Sequence, residues 1–114
     1  MSDQRTIIEK IALLLGLPKT DIEIIVALEK KNHLLISEIA HEIKRTPRHV
    51  RQRVQFLTKK GFLNKEIEVL QNQRIAYRYS LIPLDKMKTR ARADILGKLK
   101  EIETLVDSIK KFQE

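Results

Sequence analysis

Thr46-Pro47 and Gly61 fence off fourteen residues, PRHVRQRVQFLTKK, and leave them little choice but a helix of about four turns. Proline is favoured at the first helical position, where its missing N–H goes unused. The threonine before it can accept from the first-turn amides, and glycine takes the left-handed conformation that closes a helix. Val50, Val54 and Leu57 recur on one face of this segment. Directly after Gly61 the period changes. FLNKEIEVL (62–70) and RIAYRYSLI (74–82) roughly alternate apolar and polar residues, with Gln71-Asn72-Gln73 between them, which predicts a β-hairpin. A short helix running without a linker into a hairpin restricts the chain to a mainly α fold with a small β element.

The remaining segments agree. Ser2 and Asp3 are candidate caps for a first helix over 3–15, stopped by Gly16 and Pro18. A second helix opens at Lys19 or Thr20, buries Ile24, Ile25, Ala27 and Leu28, and ends near His33. LLI at 34–36 is expected to be a short strand, and Ser37 to cap a helix carrying Ile39, Ala40 and Ile43. After Pro83, the segment 84–112 has Gly97 as its one glycine and no proline. Its apolar residues Ile95, Leu99, Ile102, Val106 and Ile109 keep the 4-3-4-3 spacing of a helix that packs on another helix. The order is that of a winged helix-turn-helix over 1–83 followed by a C-terminal helix over 84–114, expected to make an antiparallel or coiled-coil dimer.

Composition limits what such a fold could do. Cysteine is absent, so thiolate and disulfide chemistry are excluded. The N-terminal apolar run IALLLGL is too short to span a bilayer and lacks a small-residue cleavage site, so no membrane partner and a cytoplasmic, nucleoid-associated location are expected. His33, His41 and His49 lie eight residues apart without metal-ligand spacing, and His41-Glu42 lacks the second histidine of a zinc-protease helix. No Gly-rich phosphate loop can be built from Gly16, Gly61 and Gly97. We therefore expect no enzyme, metal or cofactor.

Charge points elsewhere. The formal net charge is +8, and residues 34–63 carry seven basic against two acidic side chains, as a localised polyanion-binding surface requires. On a helical wheel, Arg48, Gln52, Gln55 and Lys59 lie opposite Val50, Val54 and Leu57, with Arg51 and His49 on the flanks. Arg matches the O6 and N7 acceptors of guanine, and Gln the N6/N7 pair of adenine. Arg48, Arg51, Gln52 and Gln55 are thus the expected base readers in double-stranded DNA. Lys44, Arg45, His49, Lys59 and Lys60 are the expected phosphate contacts. Lys65, Arg74 and Arg78 place further cations on the wing, which can reach a neighbouring groove, although Glu66 and Glu68 dilute them. Tyr77 and Tyr79 alternate with Arg78, a pattern that fits packing of the sheet on the core and, less often, stacking of single-stranded bases.

From LGLPKTDIEIIVALEKKNHLLISEIAHEIKRTPRHVRQRVQFLTKKGFL, the chain resembles archaeal winged-helix transcriptional regulators of the TrmB-like and Lrs-like type, over about residues 14–82. The resemblance implies a dimeric DNA-binding regulator without catalytic activity; with the base-reading face of 47–60, the expected function is sequence-specific binding of double-stranded DNA. Larger TrmB-like relatives add a sugar-binding domain, whereas one helix follows the wing here, so no small-molecule effector is expected. Some relatives of the short form are architectural chromatin proteins of low sequence specificity. That role, and a winged-helix module that binds proteins, are the alternatives to regulation. For dimerisation, Leu96, Leu105 and Phe112 widen the stripe centred on Leu99 and Ile102 enough to take in that of the first helix, Ile7 to Leu15.

Overall fold

The structure is a computed structural model that describes residues 2–113. The side chains of 2–5, 84 and 113 are outside that description, and with them the cap expected at Ser2 or Asp3. Helices α1 (Ser2–Leu14) and α2 (Lys19–Lys30) are followed by strand β1 (Leu34–Leu35), helices α3 (Ile36–Ile43) and α4 (Pro47–Lys59), strands β2 (Leu63–Val69) and β3 (Ile75–Leu81), and helix α5 (Leu84–Gln113).

The local chemistry of α4 is as its sequence predicts. The Thr46 hydroxyl accepts from the His49 amide at 3.3 Å, Pro47 opens the helix, and Gly61 takes a φ of +87° beyond it. The turn from α3 passes through Lys44, whose backbone is left-handed at φ 57°. Helix α3 departs from expectation: it begins at Ile36, not after a Ser37 cap. The Glu38 carboxylate accepts from the Leu35 amide at 2.9 Å, so the acid three residues on satisfies the helix start and Ser37 falls inside the first turn.

β2 and β3 pair antiparallel from Leu63↔Leu81 to Val69↔Ile75, and β1 adds to the other edge of β3 at Leu34↔Tyr79. The sheet is therefore three-stranded, in the order β1-β3-β2: the short strand expected at 34–36 joins the expected hairpin. The core lies between the base of this sheet and helices α1 to α4. Ile24, Leu28, Ile39, Val50, Val54 and Leu57 are its fully buried centre, each contributing about 1.5–3 kcal/mol of transfer free energy. Tyr79 closes the core from the sheet side, the packing role open to it in the sequence. This is a mainly helical winged-helix fold with a long helix attached.

That helix changes the shape. Its first turns are tied down: Met87 is buried in the core and Ala91 packs against it. The Arg90 side chain lies so close to Gly61 that a β-carbon there would sit 2.8 Å from its Nε. Asp94 faces Lys60 at 3.5 Å, and Lys98 donates to the Leu15 carbonyl at 3.2 Å. From Ile95 to Phe112 the helix is exposed. The radius of gyration is 17.4 Å, against about 13 Å for a compact chain of this length.

Candidate nucleic-acid interface

Three buried side chains seat α4, and one ion pair sets its rotation. Val50, Val54 and Leu57 press into the core. On the border between the buried and exposed faces, Arg53 reaches back to α2 and donates from Nε and Nη2 to the two carboxylate oxygens of Asp21, at 2.6 and 2.7 Å. Asp21 is fully buried, and its hydrogen bond holds the Arg53 guanidinium above its already high pKa. The guanidinium also lies 4.5 Å from the centre of the Phe56 ring, a cation–π contact. Arg53 was not among the residues expected to matter; the signal for it is Asp21, whose spacing from Ile24, Ile25 and Leu28 puts it on the apolar stripe of the second helix.

With that rotation set, Arg48, Arg51, Gln52, Gln55 and Lys59 are exposed along one side of α4. None of the five side chains makes a hydrogen bond or ion pair among the described residues, and α4 contains no acid. Lys44 and Arg74 are exposed and likewise unpaired. Lys65 caps the Tyr77 ring, its Nζ 4.3 Å from the centroid.

The other expected contacts are already engaged. Arg45 forms a two-bond pair with Glu23 at 2.8 and 3.3 Å, and the hydrogen bonds from Arg45 lower the Glu23 pKa. His49 Nε2 lies 3.2 Å from the Thr20 hydroxyl. Lys60 points toward Asp94 and the Phe56 ring, at the α5 end of the helix. Arg78 departs furthest from a free wing cation. It donates to Glu68 at 2.6 Å, Glu38 at 3.0 Å and the His33 carbonyl at 2.7 Å, and so staples the hairpin to the start of α3 because β1 brings His33 alongside β3. His33 itself faces Glu66 at 3.5 Å, and His41 is exposed. Among the described residues, no three His, Cys, Asp or Glu side chains converge as metal ligands, and no helix is long and apolar enough to cross a membrane.

A seated helix with an acid-free, unpaired polar face, preceded by a tight turn and followed by a hairpin, defines the winged helix-turn-helix class. Residues 17–64 match the family described as winged helix-turn-helix DNA-binding. No curated protein matches the chain. Among solved structures, a possible transcriptional regulator from Methanosarcina mazei superposes with a TM-score of 0.70 at 14% identity, over 86% of this chain and 83% of that one. MepR of S. aureus in complex with DNA gives a TM-score of 0.57 at 13% identity, over 97% and 88% of the two chains. The multiple antibiotic-resistance repressor MarR of Listeria monocytogenes gives 0.55 at 19%, over 98% and 86%. At these identities the likeness is one of fold.

Proposed function

We propose that this chain is a sequence-specific transcriptional regulator that binds double-stranded DNA as a homodimer. The observation that carries the reading is the exposed face of α4: Arg48, Arg51, Gln52, Gln55 and Lys59, all unpaired and without a carboxylate among them. Such a face lacks internal counter-charge and matches the phosphates and base edges of a major groove. Arg48, Arg51, Gln52 and Gln55 read bases. Lys44 and Lys59, with Lys65 and Arg74 on the wing, hold phosphates, while Arg45, His49 and Lys60 serve mainly to brace α4. That MepR, a protein of similar fold, has been captured on DNA supports the assignment.

The dimer reading rests on α5. Ile95, Leu99, Ile102, Val106 and Ile109 are exposed and continue into Phe112, 92% exposed. A groove of about 800 Å³ between α1 and α5, walled by Ile7, Ile11, Leu14, Ile95 and Leu96, adjoins them. A contiguous apolar surface of this kind marks an interaction site, and a second copy covers both features at once.

Footprinting on genomic fragments, beginning with the protein's own promoter, tests the reading. Protection of a discrete pseudo-palindrome, with half-sites about one DNA turn apart, is expected. Uniform protection would replace regulation with an architectural role, and absence of any protection would leave a protein-binding module.

A further inference from the structure

The wing carries a surface that phosphate contacts do not account for. The register sets Ile67 opposite Tyr77 and Val69 opposite Ile75, and strand alternation places all four on one face with Lys65. Ile67 and Val69 are 68% and 69% exposed. The opposite face bears Glu66, Glu68 and Arg78 and is fastened to α3 through Arg78. The hairpin is thus two-sided, with an anchored acidic back and an apolar front that has no carboxylate.

Lys65, Ile75 and Tyr77 of that front line a trough of about 930 Å³ between the wing and α4, together with Arg51, Gln55, Lys59 and Arg74, and Ile67 and Val69 continue the same face outside it. Every charged side chain lining the trough is a cation. An apolar wall beside cations suits a ligand that presents phosphates on one side and hydrocarbon on the other. A DNA strand does so, since its deoxyriboses form the walls of the minor groove.

We propose that the apolar front of the wing reads DNA shape. With α4 in the major groove, the bordering backbone strand lies in the trough, its phosphates toward Lys59, Lys65 and Arg74. Ile67, Val69 and Ile75 then lie against the sugar walls of the adjoining minor groove. These side chains have no donor or acceptor for a base edge, so they discriminate by fit. The guanine amino group on the minor-groove floor obstructs them, whereas A·T steps, which lack that group, admit them. The inference rests on the duplex-binding reading above and adds to it which part of the protein senses groove shape.

The test is competition binding of the full chain to three alternating duplexes: poly(dA-dT), poly(dG-dC) and poly(dI-dC). Inosine keeps the major-groove acceptors of guanine but lacks its minor-groove amino group. Poly(dI-dC) is expected to bind with poly(dA-dT), several-fold tighter than poly(dG-dC). The Ile67→Thr/Val69→Thr variant, which keeps β-branched residues in the strand, should bring the three together without altering salt dependence. Ile75→Thr alone should narrow the gap in part, and serves if circular dichroism shows the double variant misfolded. Poly(dI-dC) binding like poly(dG-dC), or discrimination that survives in a folded variant, overturns the proposal and leaves duplex binding standing. Failure to bind any of the three overturns both readings.

Discussion

Arg53 and Asp21 meet through two parallel hydrogen bonds of 2.6 and 2.7 Å, with the acid wholly inside the protein and the base at its edge. The two partners are therefore unequal. Removing Asp21 lets Arg53 turn to water, while removing Arg53 strands a carboxylate in the interior. Arg53→Ala should destabilise the fold by about 3–5 kcal/mol, as for a buried charge left unpaired. Asp21→Asn keeps an acceptor for the guanidinium and should cost clearly less. Equal losses in urea unfolding would show that the pair does not hold α4 in this asymmetric way.

Division of labour along α4 is open to direct measurement. Gln52→Ala should lower discrimination between operator and random duplex by about 1–3 kcal/mol. Lys59→Ala should weaken both about equally and make log K fall less steeply with log salt, by about one phosphate's share. If the two variants cannot be told apart in competition binding across a salt series, the separation into base and phosphate contacts is wrong.

For the dimer, Leu99→Glu together with Ile102→Glu places two like charges in the middle of the exposed stripe of α5. The expected product is a folded monomer whose operator binding falls far more than the added charge explains. Sedimentation at micromolar concentration reads the result; an intact dimer in the double variant would rule out closure along this helix.

The Glu23–Arg45 pair makes a pH-dependent contribution with a definite sign. Hydrogen bonding to Arg45 lowers the folded-state pKa of Glu23. Its stabilisation is therefore fully present above the unfolded value of about 4.3 and is lost as pH falls through the lower folded value. Thermal melts of wild type and Glu23→Gln should differ by a constant amount at pH 5–8, and that gap should narrow progressively as pH falls below the unfolded value. A gap independent of pH would assign the effect of the substitution to something other than this ion pair.

How far the sequence carries the reader follows from the range of the interaction concerned. Thr46, Pro47 and Gly61 act within three or four residues of themselves, so the start and stop of α4 are legible, as are the heptad of α5 and the alternation of the two long strands. Ser37 shows where local reading weakens: serine is a good cap, but Glu38 reaches back to Leu35 and the helix opens earlier. Arg53, Arg45 and Arg78 lie beyond any local rule, because their partners are 32, 22 and up to 45 residues away. In the sequence these three look no different from the unpaired arginines of the exposed face. Only the placement of Asp21, Glu23, Glu38 and the His33 carbonyl by the fold separates an arginine that braces from one left to bind.

Helix α5 is gripped at its root by Met87, Arg90, Asp94 and Lys98 and exposed from there to Phe112, which makes it mechanically a cantilever. From Met87 to Phe112 the rod extends about 37 Å, so a tilt of about 10° at the root sweeps the far end by about 6 Å. The leverage also runs backward. Whatever clasps the free end holds the attitude of the reading head with the mechanical advantage of the whole arm, and slack of an ångström at the tip becomes an angular error of under about two degrees at the base.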